Sequence, residues 1–282
     1  VIPSVIDGVA VKIIGPGAFT DATSQTCVNS SGDEFTVSKN YIHVDGDGYE
    51  ECWMETENPG SLTSVVIPNS VTKIGISAFL DNNISTITMG TGITTIDNYA
   101  FEDNEIVTLS LPNTITSIGK YAFENNQITT VNIPTGMTRI EENTFGYNEI
   151  SSITIPSGIT YLSGFNGNNL TTINIPSSVL TIGYFAFADN IINSLNIPNG
   201  VVTIETYAFL QNALTTISIP NSVTYIGDGV FQANGLTAVT LPTNLTYLSG
   251  FADNQITTIS IPNTVTEIGR WAFAFNELTS VT

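Results

Sequence analysis

Charged residues are scarce in this chain of 282 residues, since they make up 11% of it against about 25% in an average soluble protein. Only six are Lys or Arg while 25 are Asp or Glu, so the net charge is −19. A chain this acidic would be repelled by a phosphate backbone, which disfavours nucleic-acid binding. Long apolar runs are also missing, because none approaches the ~18 residues of a membrane-spanning helix. We therefore expect no nucleic-acid partner and no direct membrane insertion.

The side chains that usually perform catalysis are few and scattered. There is one histidine, His43, there are two cysteines, and no nucleophile motif accompanies them. Without a nucleophile, a base and an orienting group in one pattern, no acid–base site is indicated. We expect a protein that is not an enzyme and has no cofactor. Hydrophobic residues make up 41% of the chain, which is too many for a disordered one.

The chain is a repeat with a period close to 22 residues. Nine of the twelve prolines stand in one context: Pro68, Pro112, Pro134, Pro156, Pro176, Pro198, Pro220, Pro242 and Pro262. Gly90 fills the one empty position, and two of the repeats, ending at Pro176 and Pro262, have 20 residues. Such self-similarity is the signature of a solenoid, in which each repeat packs on its neighbours.

Phenylalanine and asparagine recur in the same register. The phenylalanine column contains Phe79, Phe101, Phe123, Phe145, Phe165, Phe187, Phe209, Phe231, Phe251 and Phe273. The asparagine column follows it by three residues and contains Asn82, Asn104, Asn126, Asn148, Asn168, Asn190, Asn212, Asn234, Asn254 and Asn276. We predict a structural role for these asparagines, whose amides would bond backbone groups that the coil leaves unpaired.

One repeat contains a strand, a proline and a tight bend. The alternation in T-I-S-I-P at 216–220 indicates a short strand, with Ile217 and Ile219 inward. Proline ends the strand because it cannot donate to a ladder. The G-x-x-A-F segment has room for one helical turn at most, so it predicts a bend that carries the phenylalanine inward. The expected organisation is a divergent repeat at 1–22, an insertion at 23–60, and ten repeats of 20–22 residues at 61–282.

The repeat unit I-P-N-S-V-T-x-I-G-x-x-A-F-x-x-N-x-I-T-T-I-x-I-P resembles the leucine-rich repeats of BspA-like (Treponema-type) surface proteins. Residues 1–19 are similar to the variant opening repeat of that family. The resemblance implies a mainly β leucine-rich repeat solenoid, with a parallel sheet on the concave face and short turns or one-turn helices on the convex face. It also implies an extracellular or bacterial cell-surface location and adhesion to a protein or glycan of a host or neighbouring cell.

This geometry places the alternate strand residues on the concave surface, where we expect binding. They are Thr86, Thr88, Thr108, Ser110, Thr130, Asn132, Ser152, Thr154, Thr172, Asn174, Ser194, Asn196, Thr216, Ser218, Ala238, Thr240, Thr258 and Ser260. None of them is charged or aromatic, although interfaces favour Trp, Tyr and Arg anchors. Threonine also suits the solvent face of any sheet. The surface therefore fits a glycan or peptide backbone, a structural spacer without a ligand, or, as a third alternative, ice or ordered water.

Aromatic residues occupy a different position, two residues before the phenylalanine column. They are Tyr99, Tyr121, Phe185, Tyr207 and Trp271. The two 20-residue repeats share the string T-Y-L-S-G-F, at 160–165 and 246–251, and lie 86 residues apart, which indicates a four-repeat duplication. Loss of two residues predicts a local notch on the convex side.

The insertion at 23–60 has eight acidic residues and one cation. Its sequence predicts two or three short antiparallel strands, including E-F-T-V-S and Y-I-H-V. In a secreted protein, Cys27 and Cys52 are expected to form one disulfide. A zinc site with His43 has too few ligands, and Asp45 and Asp47 are a weak calcium candidate because the EF-hand spacing fails. The last residues stop inside a repeat, so we expect further domains of a longer chain.

Overall fold

The structure, a computed structural model, describes residues 62–282 in full. Ahead of them it describes Ile14, Gly15 and the backbone of the short strands between residues 5 and 52. The chain divides into two compact units, unit 1 (Val1–Met137) and unit 2 (Thr138–Thr282). Within each unit, successive repeats form a parallel β-solenoid, and no helix occurs among residues 62–282. The predicted leucine-rich repeat fold, mainly β, is confirmed.

The T-I-x-I segments form one set of strands, which we call the face strands. In unit 1 they are β7 (Ser64–Val66), β9 (Thr86–Thr88), β11 (Thr108–Leu109) and β13 (Thr130–Val131). In unit 2 they are β16 (Thr172–Asn174), β18 (Ser194–Asn196), β20 (Thr216–Ser218), β22 (Ala238–Thr240), β24 (Thr258–Ile259) and β26 (Ser280–Val281). They pair in parallel two at a time, as β16 with β18, and residues 151–156 form no strand. The proline after each strand keeps it this short.

A second set of strands, which the sequence did not predict, follows each proline turn. These return strands are β3 (Ile13–Ile14), β8 (Lys73–Ile74), β10 (Thr95–Ile96) and β12 (Ser117–Ile118) in unit 1. In unit 2 they are β14 (Arg139–Ile140), β15 (Tyr161–Leu162), β17 (Thr181–Ile182), β19 (Thr203–Ile204), β21 (Tyr225–Ile226), β23 (Tyr247–Leu248) and β25 (Glu267–Ile268). They pair in parallel in three sheets, with strand orders β3–β8–β10–β12, β14–β15–β17–β19–β21 and β23–β25. Two-residue strands are too short to show a period of two, so the pattern was not detectable in the sequence.

The G-x-x-A-F segments are turns rather than one-turn helices within the described repeats. The backbone N–H of Phe79 donates to the carbonyl of Ala100 in the next repeat, at 2.8 Å. In the 22-residue repeats the residue two positions before the column phenylalanine has a positive φ, as at Tyr99 (60°) and Tyr207 (60°), and in the 20-residue repeats the glycine directly before it does, Gly164 (84°) and Gly250 (97°). A left-handed residue lets the chain reverse within one turn, at a cost of about 1–2 kcal/mol for a residue with a Cβ.

The core of each unit is a stack of phenylalanine rings surrounded by aliphatic side chains. In unit 1, Phe79 and Phe101 are stacked with centroids 4.8 Å apart. In unit 2 the stack runs from Phe145 to Phe273, with centroid separations between 5.5 and 5.9 Å. The rings from Phe79 to Phe251 are fully buried. Each repeat thus buries one aromatic ring directly against the ring of its neighbour.

The insertion contains a three-stranded antiparallel sheet, with β4 (Ser24–Val28) between β5 (Glu34–Ser38) and β6 (Glu51–Cys52). The strand predicted at Glu34–Ser38 is present, whereas β4 was missed. Ahead of it, β1 (Val5–Ile6) pairs with β2 (Val9–Ala10). Residue Cys27 lies directly opposite Cys52 in the register, where antiparallel Cα atoms are about 4.5–5.5 Å apart. The disulfide stays a prediction, and His43, Asp45, Asp47 and the segment Y-I-H-V lie outside the described residues.

Candidate binding surface

The alternate residues of the face strands form an uncharged polar surface, which we call the Thr/Ser/Asn face. Every residue that the sequence assigned to it, from Thr86 to Asn132 in unit 1 and from Ser152 to Ser260 in unit 2, is exposed. The residues between them point the other way, as with Ile217, which is 4% exposed. The expected alternation is therefore observed.

Parallel pairing aligns equivalent side chains into rows. Thr172 lies beside Ser194 and Asn174 beside Asn196, in neighbouring strands, at the usual spacing of about 4.8 Å. Hydroxyl and amide groups both donate and accept hydrogen bonds. None of the groups on this face titrates, so an interaction made here depends little on pH or salt.

Asn132 differs from the other residues of this face because its amide is already engaged. Its Oδ1 accepts from the Leu111 N–H at 2.9 Å, and its Nδ2 donates to the Leu111 carbonyl at 2.8 Å. The side chain thus substitutes for ladder hydrogen bonds beside strand β11. Asn132 is better described as a structural residue than as a free binding group.

The asparagine column joins neighbouring repeats through buried amides. Asn104 is typical, since its Nδ2 reaches the Phe79 carbonyl of the preceding repeat at 2.8 Å and two carbonyls of its own bend. Its Oδ1 accepts from the Ile84 N–H at 3.0 Å. Asn190 repeats these contacts in unit 2. This is the bonding that the sequence analysis predicts for the column, and it leaves these side chains no capacity for a ligand.

Ionisable groups lie on the return strands and bends instead. Arg139 pairs with Glu141 at 2.8 Å and stacks over the ring of Tyr161 at 4.2 Å. The Tyr161 hydroxyl donates to Glu205 at 3.1 Å, and burial and the Glu205 charge raise the pKa of Tyr161. In unit 1, burial raises the pKa of Glu102 to about 8, aided by a hydrogen bond with Glu124.

No cluster of three or more His, Cys, Asp or Glu side chains that could hold a metal ion occurs in the described part of the chain. The same residues contain no helix with the length and apolar character needed to cross a membrane.

Comparison with known proteins identifies the family. The model of the BspA-type leucine-rich repeat region, which contains six copies, matches residues 57–164 and 163–280. These ranges include most of the repeats described above. The chain belongs to the BspA-type leucine-rich repeat family. Among proteins of curated function, none is significantly similar to this BspA-type chain.

Solved structures share the fold of this BspA-type chain. The pneumococcal vaccine antigen PcpA has a TM-score of 0.64 and 18% identity, with 96% of this chain and 71% of PcpA covered. A leucine-rich repeat protein from Bacteroides ovatus ATCC 8483 has a TM-score of 0.57 and 21% identity, covering 78% of this chain and 72% of the other. At these identities the likeness establishes the architecture alone.

Proposed function

We propose that the chain is a non-enzymatic binding or adhesion module of a bacterial cell-surface or secreted protein. Its Thr/Ser/Asn face then contacts a protein or glycan of a host or neighbouring cell. Membership of the BspA-type family, a class of repeat proteins that is generally non-enzymatic, supports the proposal. So does the fold shared with PcpA, which is described as a vaccine antigen.

The proposal rests on one observation, that the exposed strand residues within each unit are uniformly polar and uncharged. In unit 2, Thr216 and Ser218 lie beside Ala238 and Thr240 in register. Rows of hydroxyl and amide groups without charge match the hydroxyls of a glycan or the amides of a peptide backbone. A sheet that only needed solubility would more commonly use charged residues on its solvent side.

The test changes the face without changing the core. The triple variant Thr172→Glu, Ser194→Glu and Thr216→Glu adds three charges to exposed positions of unit 2. Binding of wild type and variant to a glycan array and to immobilised host-matrix proteins is compared. We expect wild type to bind at least one surface and the variant to lose about tenfold or more in affinity, since each desolvated charge costs 1 kcal/mol or more.

A matched control carries the same added charge elsewhere. Val202→Glu, Thr224→Glu and Thr246→Glu also alter three exposed residues of unit 2, beside the return strands, and should bind like wild type. If wild type binds none of these surfaces, the spacer alternative replaces the proposal. Thermal hysteresis of ice growth that the face variant abolishes would instead favour the ice-binding alternative.

A further inference from the structure

The second 20-residue repeat interrupts a row of aromatic side chains in unit 2. The row occupies the left-handed position two residues before the column phenylalanine of a 22-residue repeat, and Phe185 and Tyr207 are neighbours in it, with centroids 4.9 Å apart. The next repeat has Gly229 at this position, and the 20-residue repeat around Phe251 lacks the position altogether. The row resumes with Trp271. Two successive repeats thus lack a ring here, so the aromatic layer is missing between Tyr207 and Trp271.

A cavity of about 220 Å³ opens where that layer is missing. Tyr207 and Trp271 line it together with Gly229, Gly250 and Ala252. The Tyr207 ring covers Gly229 so closely that a Cβ there would lie 2.3 Å from it. A side chain at position 229 would therefore displace the ring. Gly229, with a φ of 61°, and Gly250, with a φ of 97°, keep this space open.

The dimensions of the notch suit one flat ring. The phenylalanine stack beneath it advances 5.5 Å from Phe231 to Phe251 and 5.6 Å from Phe251 to Phe273. Two positions of the row have no ring, and the Tyr207 ring covers the first of them, at Gly229. About the thickness of a single ring then remains beside Trp271. The volume is below the roughly 300–1,000 Å³ of pockets for drug-sized molecules, which indicates a small ligand or one residue of a larger one.

Polar groups line the same cavity. One oxygen of Asp228 accepts from the hydroxyls of Tyr247 at 2.9 Å and Ser249 at 2.7 Å. Its other oxygen accepts no hydrogen bond from the residues that the structure describes. Arg270 lies over the Trp271 ring at 4.5 Å, and it forms no ion pair with any described residue. The Gln232 amide donates to Asp253 at 2.9 Å, which fixes its orientation.

We propose that this Tyr207–Trp271 notch binds one pyranose residue of a glycan. A pyranose ring has C–H faces that pack on aromatic rings, and its hydroxyls bond to carboxylate and guanidinium groups around its edge. An aromatic peptide side chain has the right thickness but at most one hydroxyl, whereas a pyranose residue offers several to Asp228 and Arg270. The notch lies on the bend side of unit 2, so it does not depend on binding at the Thr/Ser/Asn face.

The first 20-residue repeat provides an internal comparison, since each position lies 86 residues earlier. Asn143 and Phe185 stand there at the positions of Gly229 and Trp271, and Tyr184 stands at that of Arg270. The Tyr184 ring packs edge-on against Phe185 at 4.5 Å. The combination of glycine, guanidinium and indole is therefore particular to the second repeat.

The test uses Trp271 as its own reporter. The chain has two tryptophans, so Trp53→Phe leaves Trp271 as the single one. Methyl glycosides of glucose, galactose, mannose and N-acetylglucosamine are titrated while Trp271 emission is recorded. We expect a saturable change with at least one of them. Saturation-transfer NMR on the wild-type chain makes the same measurement if Trp53→Phe does not fold.

A filling variant locates the binding. Ala252→Leu places in the cavity a residue that equivalent positions already hold at Leu80 and Leu210. It should weaken glycoside binding at least tenfold, while Ala274→Leu, at the same position of the next repeat, should not. Thermal unfolding followed by circular dichroism checks that both variants are folded.

Three results would overturn the inference. The first is the absence of any response to all four glycosides at tens of millimolar in both measurements. The second is binding that Ala252→Leu leaves unchanged. The third is saturable binding of N-acetyl-tyrosine amide that Ala252→Leu weakens, with no response to the sugars, which would assign the notch to peptide. The charged variants of the Thr/Ser/Asn face should leave glycoside binding intact, so failure of one proposal is distinguishable from failure of the other.

Discussion

Replacing a column asparagine should destabilise the fold far more than replacing the asparagine beside it. Asn168 and Asn169 are adjacent, but Asn168 is 5% exposed while Asn169 is exposed. The Asn168 Oδ1 accepts from the Ile150 N–H at 2.9 Å. Its Nδ2 lies within 2.9 to 3.2 Å of the carbonyls of Phe145, Phe165 and Asn166. Alanine at position 168 removes all of these bonds.

The expected magnitude follows from which groups lose their last partner. The Phe145 carbonyl keeps a bond from Asn148 at 3.1 Å, so its loss is partial. The Ile150 N–H has no other partner among the residues that the structure describes, and leaving a buried donor unpaired costs about 1–3 kcal/mol. Adding the lost net bonds at about 1 kcal/mol each gives roughly 2–4 kcal/mol for Asn168→Ala. Asn169→Ala should change stability by less than about 0.5 kcal/mol, as surface substitutions usually do.

Urea unfolding of both variants beside wild type measures the difference, with thermal unfolding as a second readout. At about 2–4 °C for each kcal/mol, Asn168→Ala should lower Tm by roughly 5–15 °C. Equal midpoints for the two variants would show that the column amides are dispensable, and the account of how repeats are joined would be wrong.

Three further changes test other parts of the fold. Because the pKa of Glu102 is raised to about 8 by burial and by Glu124, wild-type Tm should fall as the pH rises from 4.5 to 8. Glu102→Gln should flatten that fall, and an unchanged slope would contradict the raised pKa. Ala233 has a φ of 55°, so Ala233→Gly should stabilise the protein by up to about 1 kcal/mol, while Ala213→Gly should destabilise it. Urea midpoints that shift in the same direction for both variants would refute this. Phe187→Ala should cost about 3–5 kcal/mol, and a loss under 1 kcal/mol in urea unfolding would mean that the ring stack is not the core.

Much of the fold was predictable because it repeats. The columns that begin with Phe79 and Asn82 recur so regularly that the burial of their side chains follows from spacing alone. The face strands, which come after the column asparagines, follow from the same spacing. The return strands were not predictable, since two residues such as Thr95 and Ile96 carry no periodic signal. Positive φ at Tyr99 was equally hidden, because a bulky residue seldom adopts it and only the neighbouring turns impose it.

The candidate sites also differ in how far the sequence predicts them. Exposure of residues such as Thr172 followed from alternation along one strand. The notch was expected at the short repeat, but its lining was not, because it requires the Tyr207 ring to cover Gly229 from one repeat away. Contacts that depend on what an adjacent repeat lacks leave no local pattern in the sequence.

The asparagine column also gives the array a direction. Each column amide satisfies an N–H of the repeat before it, as Asn212 does for Ile192 at 2.9 Å, and it reaches back to the carbonyl of Phe187 at 2.9 Å. In these bonds, the loss of a repeat removes the side-chain partner of a backbone N–H in its predecessor, whereas in its successor it frees only an asparagine side chain, which can turn to water. Excision, insertion and exchange of repeats should consequently be asymmetric: a new repeat must supply its asparagine to the repeat already in place before it.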